Sequence, residues 1–588
     1  MVAARPVLRR GSPSRRLNVT LLCILAVLAM FAARLVQLQG FDAPRYQMLA
    51  ERLRLAPESI PAVRGTITTS DGRILAMTVQ TDLVFADPAE INVAMRPRVA
   101  SALAGPLGMT QPAVLALLMH PSSPQYVVLK RSVTASTGSR ITALGLVGIS
   151  ETPSYARAYP NGELAANVLG FTDTDAAGDL HGEAGLEFQY NSLLAGRDGS
   201  EEVEKTTTGQ PIPLTDTKIK PQVPAGNLKL TLQSNIQWYA ERACAAQVKA
   251  TKARNCTIVV MQPKTGRILA LAQYPEFNPA APQSVAGTSD IPVANVFQPG
   301  STGKVITVAA ALEHGGQTPM STYTVPDHIV VDGFPFHDAE LHPTFRYTIA
   351  GILANSSNVG MVQVVQHVSP QVQYQMFRAF GIGSPTGLNL PGESPGILPV
   401  PAKWWGDERY TLSFGQGVAV NAVQMASVYA TIANGGVRVQ PSIVAGTTNG
   451  SGKFQPAPAP TSRRVLTTKA AGQLMRMLQQ VPKVNEEAGE PWGIINGYSI
   501  AAKTGTAQVP DPQRGGCLCQ YGSSYIGIAP ATDPQLVVAV NLQDPKSGNY
   551  FGIAVAGPVF YHVMKFALQT MKIPPDGGRR PYVRLTAP

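Results

Sequence analysis

The strongest pattern along the chain is an almost unbroken apolar run, residues 17–38, interrupted near its far end by Arg34. Wound as a helix it spans roughly 30 Å, the thickness of a bilayer's hydrocarbon core, so it predicts one membrane-spanning helix. Residues 47–55 repeat apolar positions at helical spacing. Residues 64–76 read as two β-rich runs around Ser70-Asp71-Gly72, a hairpin. Residues 99–107 and 111–119 are helical, and the glycine-rich stretch 155–196 suits a turn-rich scaffold. Residues 211–226 are polar, proline-rich and aperiodic, which marks a linker. From residue 228 the pattern becomes that of a compact α/β unit. It predicts helices at 234–248, 347–354, 359–368, 422–433, 467–481 and 558–571. Strands are predicted at 256–261, 268–273, 498–509, 523–529 and 536–542.

At 588 residues the chain exceeds one ordinary domain. With 44% hydrophobic and 14% charged residues it is neither disordered nor a bundle of spans. The net charge of +11 is concentrated at the front, where Arg5, Arg9, Arg10, Arg15 and Arg16 precede the apolar run without an acidic neighbour. Those arginines hold the N-terminus on the cytoplasmic side, so everything after about residue 40 is expected outside. No Ala-x-Ala pattern between Ala26 and Arg34 suggests signal-peptide cleavage, which favours an uncleaved, single-pass anchor. The remainder is mildly basic, and nucleic-acid binding is not expected. Cys23 lies in the apolar run. Cys244, Cys256, Cys517 and Cys519 would meet an oxidising compartment, where pairing is permitted but its connectivity is open. A zinc site is the alternative, weakened by the Cys-x-Cys spacing.

Candidate chemistry centres on Pro299-Gly300-Ser301-Thr302-Gly303-Lys304. Proline and glycine make a turn, and Val305, Ile306, Val308, Ala309 and Leu312 recur at helical spacing, so Ser301 should open a buried helix. Lys304 then shares its face one turn on, a base for a serine nucleophile. Ser356-Ser357-Asn358 falls between two helices and Lys503-Thr504-Gly505 inside a strand. Two decoys, Lys264-Thr265-Gly266 and Ser547-Gly548-Asn549, have the wrong order or setting. The order Ser-x-x-Lys, Ser-x-Asn, Lys-Thr-Gly fits acyl transfer. Ser301 attacks; Lys304 takes its proton if burial and Lys503 lower its pKa; Ser356 relays the proton to the leaving amine; Asn358 holds Lys304 and the substrate amide. Gly505 lets a substrate backbone lie against the strand, and the N–H groups of Ser301 and Thr506 form an oxyanion hole. Strand alternation puts Lys503 and Thr504 on opposite faces, so how both reach one site does not follow from the sequence.

With these motifs on one chain, the sequence resembles the class B penicillin-binding proteins, and within them the division-type D,D-transpeptidases of the penicillin-binding protein 3 family. The resemblance covers nearly the full length: the anchor, the Arg64-Gly65 box, the boxes from Arg157 to Gly196, Ser301 to Lys304, Ser356 to Gly360, Ser413-Phe414-Gly415-Gln416-Gly417, and Lys503 to Gln508. One departure is Thr69-Ser70-Asp71-Gly72, where relatives often read Asp-Arg-Asn-Gly. The resemblance implies a multi-domain α/β chain. Residues 1–40 would be tail and anchor, 41–225 an elongated α+β pedestal with its linker, and 226–588 a β-lactamase-like transpeptidase domain around a central antiparallel sheet. It implies catalytic Ser301, Lys304, Ser356, Asn358 and Lys503, and substrate contacts from Thr504, Gly505 and Thr506, with no cofactor and no metal. The implied reaction is cross-linking of peptidoglycan stem peptides at D-Ala-D-Ala, blocked by β-lactams. The implied partners are a polytopic glycosyltransferase and other division proteins in the membrane. Rival readings are an elongation-type transpeptidase, a silent penicillin sensor and a hydrolytic carboxypeptidase or β-lactamase.

Overall fold

The computed structural model describes residues 12–175, 179–204, 219–282, 290–511 and 514–588. They fall into two compact units, one holding residues up to 62 together with 197–223, the other residues 63–196 and 224–588.

The first unit begins with the helix Pro13–Val36, which passes through a π-helical turn, Gln37–Phe41, into the helix Ala43–Arg54. No side chain of Pro13–Val36 is buried, although most are apolar. The helix is long and apolar enough to cross a membrane. Arg34 reaches forward to Gln37 Oε1 at 2.8 Å. The strand Leu55–Ile60 pairs antiparallel with Gly199–Glu204, which pairs onward with Ile219–Lys220. Arg5, Arg9 and Arg10, and residues 211–218 of the expected linker, lie outside the described residues.

The second unit opens with the expected hairpin. Ile67–Thr68 pairs with Ile74–Ala86 across a turn closed by Thr69 N–H donating to Arg73 O at 3.0 Å. Ile74–Ala86 carries Val127–Val133 and Ile149–Ala158 on its edges. The helices Arg96–Leu107 and Gln111–Met119 cover this sheet, burying Leu103, Leu107, Val114 and Leu118 against Val84 and Leu129. A buried ion cluster ties the glycine-rich boxes to this sheet. Arg64 Nε and Arg157 Nε donate to the two oxygens of Glu187 at 2.8 and 2.7 Å, and Arg64 Nη1 donates to Asn191 Oδ1 at 2.7 Å. Glu187 is wholly buried, so the second arginine and the hydrogen bonds are what make its charge tolerable there.

The part of this unit that positions the chemistry is a five-stranded antiparallel sheet. Its order is Ile268–Tyr274, Asn255–Met261, Leu536–Gln543, Cys517–Ala529 and, at the edge, Ala501–Asp511. Period-two alternation sends Ile258 and Val260 into one core, with the helices Ser234–Thr251 and Gly557–Thr570. Val259 and Met261 enter the other core, with Lys304–His314 and Ala422–Ala433. Cys244 pairs with Cys256, clasping helix to strand, and Cys517 pairs with Cys519, so these four thiols are engaged as disulfides rather than as zinc ligands.

Three expected elements differ. Residues 347–354 are not all helical: Phe345–Thr348 pairs as a strand with Thr322–Val325, and only then does Thr348 N-cap the helix Ile349–Ala354. The helix expected at 467–481 divides into Thr468–Leu478 and Val481–Glu487, where Pro482 sits in a new first turn. Ser301 lies in a 3-10 turn, Gly300–Gly303, and the α-helix starts at Lys304.

Candidate active site

The segment before Ser301 is held on both sides. Phe297 and Val420 exchange backbone hydrogen bonds at 2.9 Å, and Gly300 N–H donates to Gly415 O at 2.9 Å. Gly415 has φ +81° and a Cβ there would lie 2.0 Å from Gly300 O, so the Ser413–Gly417 turn can back the serine turn only with glycine. Thr302 closes the turn on Pro299 O at 2.6 Å, and Tyr429 Oη donates to Thr302 O at 2.9 Å. Ser301 itself is half-buried and its hydroxyl makes no hydrogen bond among the described residues.

One helical turn on, Lys304 is completely buried. Its Nζ donates to Asn358 Oδ1 at 2.7 Å, to the backbone carbonyl of Ser356, and at 3.4 Å to Ser356 Oγ. Burial pushes its pKa down to about 7, against the opposing pull of the Asp338 carboxylate. Lys503 is also completely buried, and its Nζ donates to the same Ser356 Oγ at 2.9 Å and to Thr504 O at 3.2 Å. Burial first, and then the charge on Lys304, hold it well below the usual lysine range. Two amines thus meet on one hydroxyl, and burial favours the uncharged form of each, reinforced at Lys503 by the charge on Lys304.

The backbone aims Ser356 at this point. The helix Ile349–Ala354 ends with Ser356 N–H on Leu353 O and Ser357 N–H on Ile352 O, and Ser356 occupies the left-handed position, φ +60°, usually left to glycine. For a residue with a Cβ that conformation costs about 1–2 kcal/mol. Ser357 then N-caps the helix Asn358–Val365 by accepting from Gly360 N–H at 2.9 Å, so one motif both ends a helix and starts the next.

The edge strand Ala501–Asp511 lies directly against the serine turn. A Cβ on Gly505 would strike Ser524 Oγ, Pro299 O and Thr302 Cγ2, so the missing side chain makes room for the protein's own turn, rather than only for a substrate backbone. The alternation left open by the sequence is settled in part. Lys503 points inward to Ser356. Thr506 Oγ1 accepts from Gly552 N–H at 3.0 Å, and among the described residues neither the Thr504 nor the Thr506 hydroxyl bonds a side chain of the cluster. The decoys are engaged elsewhere: Lys264 forms an exposed pair with Asp533 and Asn549 Oδ1 accepts from Phe551 N–H. Sequence reasoning overlooked Asp338 and His342, which bear on the cluster from a polar loop without periodicity. It also overlooked the Tyr521–Tyr550 stack, with ring centroids 3.9 Å apart.

Comparison with known proteins finds two families along the chain. A family model described as penicillin binding protein transpeptidase domain matches residues 256–565, and one described as penicillin-binding protein dimerisation domain matches residues 59–230. The chain is 32% identical to penicillin-binding protein PbpB of Mycolicibacterium smegmatis over 597 residues, covering 95% of this chain and 91% of that protein. It is 31% identical to peptidoglycan D,D-transpeptidase FtsI of Escherichia coli, covering 94% and 91%. The crystal structure of penicillin binding protein 3 from Mycobacterium tuberculosis complexed with aztreonam superposes with a TM-score of 0.68 at 28% identity, over 90% of this chain and 100% of that one.

Proposed function

The chain belongs to the penicillin-binding proteins, with a dimerisation domain followed by a transpeptidase domain, and from that premise we propose that Ser301 is its acylated nucleophile. The protein is a peptidoglycan D,D-transpeptidase of the FtsI and penicillin-binding protein 3 type. The observation that supports the residue assignment is the convergence of Lys304, one helical turn after Ser301, and Lys503 on Ser356 Oγ, with Asn358 Oδ1 accepting from Lys304.

The steps are these. A stem peptide enters with its D-Ala-D-Ala carbonyl over Ser301. Lys304, held near neutrality by burial, takes the hydroxyl proton as Oγ bonds to the carbonyl carbon, and the oxygen's charge falls on the N–H groups of Ser301 and Thr506. Ser356, bonded to both amines, passes a proton to the departing D-Ala nitrogen as the C–N bond breaks. An amine of a second stem then attacks the ester and its proton returns by the same route to Ser301. Asn358 holds Lys304 in place throughout, while Lys503, Thr504, Gly505 and Thr506 receive the substrate's carboxylate end. β-Lactams, which mimic D-Ala-D-Ala, would acylate Ser301 and remain.

In this reading residues 1–40 anchor the chain, 41–225 form the pedestal with its linker, and 226–588 carry the chemistry. The catalytic part lies outside the cytoplasmic membrane. The arginines before the apolar helix and the two disulfides support that side, since disulfides persist in oxidising compartments. The site of action is the division septum, with a polytopic glycosyltransferase and other division proteins met through anchor and pedestal. Mass spectrometry of the penicillin adduct tests the chemistry: the label belongs on the Ser301 peptide and disappears in Ser301→Ala, and a label elsewhere would overturn the assignment. Products from a stem-peptide donor and an added D-amino acid must include the exchanged peptide, since exclusive hydrolysis contradicts transpeptidation. A fluorescent fusion confined to the side wall would refute the septal role.

A further inference from the structure

Four donors close on the carboxylate of Asp338, in the loop after the strand Phe334–His337. Its Oδ1 accepts from the backbone N–H of Asn358 and, at 3.0 Å, of Val359; its Oδ2 accepts from Ser357 Oγ at 2.6 Å and from His342 Nε2 at 3.0 Å. Three of these donors belong to the turn that carries Ser356 and Asn358. The carboxylate therefore closes the start of the helix Asn358–Val365 from a distant part of the chain. Its side chain is 8% exposed and that of His342 19%.

His342 has an acceptor at each end. Nε2 faces Asp338, and Nδ1 lies 2.8 Å from the carbonyl of Pro343. A carboxylate and a carbonyl offer only lone pairs, so both ring nitrogens must donate, which only the doubly protonated imidazolium can do. The ring also stacks on Phe345, with centroids 5.3 Å apart. Burial by itself would lower the pKa of His342, but the Pro343 carbonyl and the Asp338 carboxylate outweigh it and hold the group above its ordinary value. Other titratable groups face this pair, and His337 Nδ1 lies 2.8 Å from the Asp338 backbone carbonyl. Asp327, bonded to His328 at 2.8 Å, adds a second carboxylate near His342; Tyr347, from the strand Phe345–Thr348, senses Asp338; Lys304 senses Asp338 from the serine helix, and Lys503 senses Lys304.

Resting on the reading of Lys304 as proton acceptor, we propose that Asp338 and His342 are a positioning pair that holds the Ser356–Asn358 turn and, through opposed charges, sets how readily Lys304 accepts the Ser301 proton. Asp338 alone favours the protonated, useless form of Lys304. The imidazolium beside it opposes that field and so favours the uncharged, proton-accepting form of Lys304. Neither residue touches the reacting atoms.

The two charges act on Lys304 with opposite signs, and the test uses that. The second-order rate of acylation by a fluorescent penicillin is measured against pH for the full chain in detergent. Asp338→Asn should move the acid limb of the profile to lower pH by roughly half a unit or more, and His342→Gln should move it to higher pH by about the same amount. The double variant should fall near the parent. At the alkaline plateau His342→Gln should stay within about threefold of the parent, a change equivalent to under 1 kcal/mol. A merely structural role lowers the plateau and leaves the midpoint in place. Unmoved midpoints, or shifts of the same sign, overturn the proposal. Should Asp338→Asn not fold, the direction of the His342→Gln shift decides alone. Loss of label in Ser301→Ala together with unmoved midpoints sinks the pair only, whereas label persisting in Ser301→Ala sinks the acyl-serine reading and the pair with it.

Discussion

Gly505 has no room for a Cβ where the edge strand meets the serine turn, and adding one methyl group there tests whether that packing positions Ser301. In Gly505→Ala the new carbon would stand 2.4 Å from Ser524 Oγ and 2.9 Å from both Pro299 O and Thr302 Cγ2, where ordinary contact begins at 3.4 Å. Ser524 is 3% exposed and has little room to turn away, and Pro299 O is backbone. The strand and the serine turn must part by about half an ångström, at a cost of about 1–3 kcal/mol for overpacking. Ser301 moves with the turn. Since a displacement of about 1 Å at a reacting group costs on the order of 100-fold, the acylation rate by a fluorescent penicillin should drop between about 10- and 100-fold. Thermal unfolding should show a lower midpoint with a single, still cooperative transition. Adding Ser524→Ala removes the nearest clash and leaves those with Pro299 and Thr302, so it should restore stability in part and the rate only slightly. A Gly505→Ala protein that acylates within twofold of the parent would refute the argument that strand and turn are in fixed contact.

Other consequences can be measured independently. Glu241 is buried, accepts from Ala165 N–H at 2.8 Å, and is pushed by burial from 4.5 up to about 7. Between those pH values the folded state keeps a proton that the unfolded chain has lost, so stability falls as pH rises through the window. Glu241→Gln keeps the acceptor and removes the charge; it should stabilise by roughly 1–3 kcal/mol at pH 8 and far less at pH 5 in denaturant titrations, and equal effects at both would contradict the linkage. Glu187→Gln leaves Arg64 and Arg157 in a buried pocket with one carboxylate charge fewer. A loss of about 3–5 kcal/mol is expected in the same titrations, and a loss below 1 kcal/mol would mean that the cluster is not essential to the pedestal. Cys244 and Cys256 close a loop with a separation of 12 residues. Replacing both by serine should cost about 3 kcal/mol, read as a lower unfolding midpoint under oxidising conditions and none under reducing ones.

The helix Ala422–Ala433 was legible to the residue. Its apolar period is continuous, and Asn421 and Gln424 form a capping box written three residues apart. The Ser301–Lys304 spacing was equally local, which is why the cluster could be named from sequence. The strand at Phe345–Thr348 was missed because an aromatic, β-branched run leads into a helix with no breaker between them, and only its pairing with Thr322–Val325 separates the two. Asp338 acts on a turn 20 residues away through hydrogen bonds that leave no periodic trace, so its part was invisible. The cysteine pairing depended on Cα separations of 5.5 and 5.3 Å, which no spacing encodes.

Ser356 occupies a left-handed position that glycine would fill at no steric cost. A thermal-resilience screen would therefore reward Ser356→Gly, which relaxes the backbone by about 1 kcal/mol while deleting the hydroxyl on which both lysines converge. The fold would gain and turnover would vanish, so stability and activity are in direct competition at a single atom. Directed evolution of this enzyme toward heat resistance must be scored on cross-linking from the first round, or it will converge on a well-folded protein that no longer builds wall.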